Sequence, residues 1–177
     1  MYEDKIEKIL ITKEMIQQRV KEMGEEISAD YAGKDPIVVS ILKGGVYFLI
    51  DLTRAMTLPH MIDFMVVSSY GDSQETSGIV RLVKDLKEDI RHRHVILIED
   101  IIDTGLTVDY LLKNLKTRQP ASVEVCSFLS KPSRRKVEVP VKYLGYEVPD
   151  QFVVGYGLDY QQRYRHLPFV CVFKSNE

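Results

Sequence analysis

Apolar residues first recur at helical spacing at Ile16, Val20, Met23, Ile27 and Tyr31, which predicts an amphipathic helix. Thr12 reads as its cap, and Gly33 ends the pattern. Pro36 then precedes Ile37-Val38-Val39-Ser40-Ile41-Leu42, a short β-branched run with the character of a buried strand. Gly44-Gly45 breaks it, and Val46, Leu49, Leu52 and Met56 predict a second helix. Ile62 to Ser69 reads as a strand, the polar stretch Tyr70 to Gly78 follows, and Ile79 to Val83 reads as a further strand. Val95-Ile96-Leu97-Ile98 is a buried strand, followed by a helix through Tyr110, Leu111 and Leu115 that stops near Pro120. Later strands are predicted at Val123 to Leu129, Val141 to Leu144, Phe152 to Val154 and Phe169 to Phe173. Strands alternating with helices predict an α/β fold, a parallel, doubly wound core sheet flanked by helices. Such sheets bind ligands beyond the carboxyl ends of their strands, so the loops after Leu42, Ser69 and Ile98 are where chemistry is expected.

Composition narrows the partners. A chain of 177 residues without a Pro/Gly/Ser-rich linker suits one domain, residues 1–177. At 45 % hydrophobic and 28 % charged residues it has the make-up of a globular protein. A formal net charge of −2 disfavours general nucleic-acid binding, which calls for a basic surplus. No apolar signal region follows the charged Met1-Tyr2-Glu3-Asp4-Lys5, and the longest apolar runs are strand-sized, so no membrane span is expected. Cys126 and Cys171 sit inside apolar segments and read as buried, reduced thiols. These features point to the cytoplasm.

The densest chemistry lies in Val95-Ile96-Leu97-Ile98-Glu99-Asp100-Ile101-Ile102-Asp103-Thr104-Gly105-Leu106-Thr107. An apolar strand delivers two adjacent carboxylates, a third follows three residues later, and a Gly/Thr turn opens a helix. Backbone N–H groups from Thr104 to Thr107 at a helix N-terminus favour a phosphate, and Thr104 and Thr107 add hydroxyls. Gly105 permits close backbone approach. Glu99 and Asp100 would repel phosphate and suit sugar hydroxyls instead. The plainer alternative is an acidic strand end with Asp103 or Thr104 capping a helix. The string contains neither GxxxxGK[ST] nor GxGxxG, which excludes a Walker loop and a dinucleotide fingerprint.

Taken in order, this segment resembles the phosphoribosyl-pyrophosphate signature of the type I phosphoribosyltransferases. The resemblance runs from about Val38 to Val172 and is strongest to the bacterial-type hypoxanthine–guanine branch. It implies that Glu99 and Asp100 hold ribose hydroxyls and that Asp103 to Thr107 cradle the 5′-phosphate. It also makes Asp103 the general base or acid at the purine's imidazole nitrogen. Leu106 stands where some relatives carry a lysine, so amides and hydroxyls hold the phosphate.

Three further segments fit. Leu42-Lys43-Gly44-Gly45 reads on its own as a strand-to-helix turn. The resemblance makes Lys43 and Gly44 pyrophosphate ligands and places a cis peptide between Leu42 and Lys43. Ser69 and Tyr70 would belong to a lid that covers pyrophosphate and excludes water. Lys131, by itself a surface lysine before Pro132, would donate to a purine's 6-oxo group, which an ammonium can do and adenine's amino group cannot accept.

In Glu147 to Tyr160, Phe152 would stack on the purine, and Val153 and Asp159 would offer backbone acceptors. Arg165 would contact pyrophosphate. The implied cofactor is Mg2+, with Glu99, Asp100 and Asp159 as ligands. The implied partners are phosphoribosyl pyrophosphate, purine bases and their nucleotides, and further copies of the chain in a homodimer or homotetramer. A core of about residues 34–145 would carry a small hood from about 1–12 and 146–177. His60, His92, His94 and His166 lack metal-site spacing apart from the His92/His94 pair, which reads as part of a solvated basic turn. Arg134-Arg135-Lys136 reads as a solvated face.

Overall fold

The computed structural model describes residues 2–69 and 80–174. Six strands form the main sheet: β2 (Ile37–Leu42), β3 (Met61–Ser69), β4 (Val80–Lys84), β5 (His94–Ile102), β6 (Ser122–Ser130) and β7 (Tyr143–Glu147). Their order is β4-β3-β2-β5-β6-β7, and every neighbouring pair is parallel except β3–β4. The sheet expected to be parallel therefore carries one antiparallel edge strand. The chain runs outward from β2 to β3 and β4, then returns to the other side of β2 as β5. The order thus reverses between β2 and β5, and their terminal loops diverge into a crevice.

Helices cover both faces, as parallel strands require. On one side Val38, Ile96 and Phe128 share a core with α1 (Lys13–Asp30) and α2 (Val46–Ala55). On the other, Val39, Leu97 and Val125 pack with Val108, Leu111 and Leu115 of α3 (Leu106–Lys116). The period-2 alternation of strand side chains divides the two cores. Thr12 caps α1 as predicted, its Oγ1 accepting from the Met15 N–H at 3.3 Å. Cys126 and Cys171 are buried free thiols, and burial raises the pKa of both, that of Cys171 to about 11.

A second sheet joins chain segments far apart in sequence. β1 (Ile6–Ile11), β9 (Val170–Phe173) and β8 (Val153–Val154) form it in the order β1-β9-β8, all antiparallel. β1 was not legible in the sequence. Its burial does not alternate cleanly, Ile9 is half exposed, and two register irregularities interrupt its pairing. β7 begins two residues later than predicted. Pro140 has no N–H to donate, while the Lys142 N–H bonds to the Val125 carbonyl just ahead of the strand.

Candidate active site

β5 does not stop at Ile98. It continues through the carboxylates to Ile102, because β6 keeps pairing: Glu99 sits opposite Ser127, and Ile102 opposite Ser130. Glu99 and Asp100 therefore point to opposite faces of the sheet. Glu99 lines a 210 Å³ cavity with Asp103, Thr104, Gly105 and Thr107, the predicted phosphate segment. Asp100 lines a 350 Å³ cavity with Lys131, Phe152, Val153 and Asp159, the predicted base segment. Asp103 borders both cavities.

In the phosphate loop, α3 starts after Gly105, whose φ of 85° is the left-handed conformation that glycine tolerates. Gly105 has no side chain to cap the helix; Thr104 Oγ1 accepts from the Leu106 N–H at 3.4 Å, and Thr107 and Val108 of the first turn line the cavity. Carbonyl contacts fix the loop from behind: the Thr104 oxygen accepts from the N–H groups of Lys136 at 2.9 Å and Val137 at 3.1 Å.

Glycines let the other loops converge. A Cβ on Gly44 would collide with the Asp100 carboxylate, so the turn after β2 lies directly on β5. A Cβ on Gly157, at φ 100°, would collide with the Gly44 carbonyl. The peptide between Leu42 and Lys43 is cis, as the resemblance implied. Lys43 Nζ and Arg165 Nη2 both donate to Gln162 Oε1, at 3.1 and 3.3 Å. Arg165 also meets Asp159 Oδ1 at 2.7 Å and donates to the Gly157 carbonyl at 2.6 Å.

Electrostatics follow from burial. Glu99 is 6 % exposed, and desolvation, then the neighbouring Asp100 charge, raises its pKa well above the carboxylate range. Asp100 is also raised, by burial first, although the Ile101 N–H and Arg165 oppose the shift. Burial lowers the pKa of Lys131, while Asp103 and Asp150 oppose the shift. Its Nζ donates to the Gln151 carbonyl at 2.8 Å. Phe152, 47 % exposed, presents its ring at the cavity with Tyr160 edge-on at 5.9 Å.

Arg135 corrects one part of the sequence reading of this run. Arg134 Nε lies 2.7 Å from Asp103 Oδ1, and its Nη1 is 3.3 Å from Asp150 Oδ1. Arg135 donates to the Asp103 carbonyl at 3.2 Å and to Ser130 Oγ at 2.6 Å. Arg135 is half-buried against the site, while Arg134 and Lys136 are exposed as expected, Arg134 pairing with the two carboxylates from the solvent side. Nothing in the local string distinguishes the inward Arg135 from its outward neighbours. Asp103 Oδ1 is buried against Arg134, which pairs with it as an ion. His94 is not in a solvated turn but opens β5, bonded to Ser122 Oγ at 2.8 Å and edge-on to Tyr31. β3 ends at Ser69, and Tyr70 lies outside the described residues, as does most of the expected lid.

Three carboxylates were expected to bind metal. Among the described residues no three His, Cys, Asp or Glu side chains converge on one point. An ion here would take one or two of these carboxylates and complete its shell with substrate and water oxygens, the habit of Mg2+.

Fold and site together define a mostly parallel α/β protein with two adjoining cavities at its switch point. Residues 7–161 match the family model described as a phosphoribosyl transferase domain. The chain is 47 % identical over 176 residues to the hypoxanthine-guanine phosphoribosyltransferase of Mycobacterium avium, covering 96 % of this chain and 87 % of that one. It is 45 % identical over 174 residues to the enzyme of the same name from Bacillus subtilis, covering 98 % and 97 %. A crystal structure of a hypoxanthine phosphoribosyltransferase from Staphylococcus aureus superposes with a TM-score of 0.94 at 42 % identity, covering 97 % of this chain and 94 % of that one. The chain belongs to the phosphoribosyltransferase family.

Proposed function

We propose that the protein transfers the 5-phosphoribosyl group of phosphoribosyl pyrophosphate to hypoxanthine or guanine, forming IMP or GMP and pyrophosphate in purine salvage. The observation that carries this reading is the place of Asp103, shared by the phosphate cavity and the ring cavity. From there its carboxylate can accept a proton from a purine seated in the ring cavity.

The 5′-phosphate sits on the first-turn amides of α3 with Thr104 and Thr107, and Glu99 and Asp100 receive the ribose hydroxyls. Phe152 stacks on the purine. Lys131 exchanges the Gln151 carbonyl for the 6-oxo group. Val153 and Asp159 offer backbone acceptors to guanine's exocyclic amine. The ring nitrogen bonds to the anomeric carbon as the bond to pyrophosphate breaks, and pyrophosphate keeps the electron pair. Asp103 takes the proton from the purine nitrogen. Lys43 and Arg165 face the leaving group, with Gly44 exposing backbone to it. Mg2+, held by Glu99, Asp100 or Asp159 together with substrate oxygens, supplies charge neutralisation when bound. Ser69 and Tyr70 close over the site. The three-stranded sheet acts as the hood over a core of about residues 34–145. The chain works in the cytoplasm as a homodimer or homotetramer.

The test is product formation from phosphoribosyl pyrophosphate and Mg2+ with hypoxanthine, guanine, xanthine or adenine. Turnover of the first two with adenine inert supports the reaction and the Lys131 role. Preference for adenine overturns the ring-cavity assignment while leaving the phosphate loop standing. No turnover on any base overturns the activity.

A further inference from the structure

Two cations from distant parts of the chain share one neutral oxygen. Lys43, in the turn after β2, and Arg165, between β8 and β9, both donate to Gln162 Oε1, at 3.1 and 3.3 Å. Gln162 is held from behind, its N–H donating to Asp159 Oδ2 at 2.8 Å while Asp159 Oδ1 meets Arg165 at 2.7 Å. The segment takes a costly path to deliver this side chain. Gln161, Gln162 and Tyr164 have φ of 51°, 63° and 73°, a left-handed conformation uncommon for residues with side chains. Such conformations persist where the surroundings over-determine them.

An ammonium and a guanidinium brought to one point repel each other unless an acceptor lies between them. The Gln162 carbonyl is that acceptor, and it stands on the line of approach of both cations. A phosphate oxygen bridging Lys43 and Arg165 would need the same place. A phosphate oxygen brings negative charge to both cations, an attraction that the neutral amide oxygen lacks. Phosphate therefore displaces an amide oxygen from this position, whereas a carboxylate would compete with it as a second anion.

We infer that Gln162 is a positioning residue of the leaving-group subsite. Its side-chain carbonyl stands in for a pyrophosphate oxygen, keeps Lys43 and Arg165 gathered between turnovers, and gives way when the diphosphate arrives. Neutrality at this position sets the affinity for phosphoribosyl pyrophosphate and pyrophosphate. The inference rests on the reading that Lys43 and Arg165 receive the diphosphate.

The experiment is titration of the full chain with Mg2+-pyrophosphate, together with KM and kcat for phosphoribosyl pyrophosphate and for hypoxanthine, in wild type and three variants. Gln162→Glu is isosteric but anionic, and should raise the pyrophosphate Kd and the KM for phosphoribosyl pyrophosphate about tenfold, with the KM for hypoxanthine unchanged. Gln162→Ala removes the stand-in and should leave pyrophosphate binding equal or tighter. Gln162→Asn tolerates the left-handed backbone but is too short to reach both cations, and should follow alanine. Weakening in both Gln162→Glu and Gln162→Ala would make Gln162 a ligand or a support and overturn the inference. Unchanged affinity in Gln162→Glu would overturn it as well. If wild type binds no pyrophosphate, the subsite reading itself fails, and the role of Gln162 falls with it.

Discussion

Asp103 and Lys131 show how differently two side chains in one cavity depend on their surroundings. Asp103 borders both cavities and has its charge balanced by Arg134, 2.7 Å away. Replacing it with asparagine retains shape and removes proton acceptance. Asp103→Asn should lower kcat by about 100- to 10,000-fold while phosphoribosyl pyrophosphate still binds, which single-turnover kinetics beside equilibrium binding would check. Unchanged turnover would remove Asp103 from the proton path. Lys131 is 8 % exposed and satisfied by the Gln151 carbonyl, so it costs little to hold until a 6-oxo group replaces that partner. Lys131→Met should raise the KM for hypoxanthine by about ten- to a hundredfold, the worth of one charge-assisted hydrogen bond. The KM for phosphoribosyl pyrophosphate should stay within a factor of about two in the same assay. The resemblance picked out both residues, and both line the ring cavity. The inward turn of Arg135 was not legible, because a run of cations looks the same whether it is solvated or folded inward.

At the scale of elements, close contacts decide outcomes that local propensity would misjudge. Gly24 lies inside α1, where alanine is intrinsically better by about 1 kcal/mol. A Cβ there would lie 2.6 Å from the Ala55 Cβ and 2.8 Å from the Ala55 carbonyl carbon of α2. Backbone atoms cannot swing aside, and overpacking costs about 1–3 kcal/mol, so the clash wins. Gly24→Ala should therefore lower Tm despite the better helix former, as calorimetry would show.

Asp63 anchors a different junction. It sits 6 % exposed in β3 and accepts from the N–H groups of Phe64 and Lys87 at 2.7 Å and Glu88 at 3.1 Å, with Lys84 at 3.6 Å. Burial alone would raise its pKa, but the three N–H groups and Lys84 outweigh it and the net shift is downward. A depressed carboxylate contributes stability that is present above its unfolded pKa of about 3.9 and lost as pH falls through the folded value. Asp63→Asn should cost about 1–3 kcal/mol at pH 7. The gap to wild type should narrow below about pH 4 in urea unfolding series. A constant gap across that range would mean that the charge contributes nothing.

Across the whole molecule, function rests on segments that meet only after folding. β1 covers one edge of β9, and β8 on the other edge carries Val153 into the ring cavity. Deleting residues 1–11 should therefore weaken purine binding more than phosphoribosyl pyrophosphate binding, because the phosphate loop belongs to the other sheet. It should also make the buried Cys171, whose thiol pKa is about 11, react with a thiol reagent at pH 8. An unreactive Cys171 in the truncated chain would show that β9 keeps its cover without β1.

The amino-acid sequence by itself determined the elements with strong period and their end signals: the Thr12-capped helix, the strands at Ile37–Leu42 and Val95–Ile98, and the glycine-bearing phosphate turn. These are local matters of side-chain spacing, capping and backbone freedom. Tertiary structure alone decided where those pieces meet. Strand pairing with β6 carried β5 past Ile98 and sent Glu99 and Asp100 to opposite faces. Antiparallel pairing across most of the chain's length made a strand of the weakly patterned Ile6–Ile11. Long-range packing brought Gln162 between Lys43 and Arg165. Local pattern records what a segment prefers; which partners satisfy its polar groups depends on residues a hundred positions away.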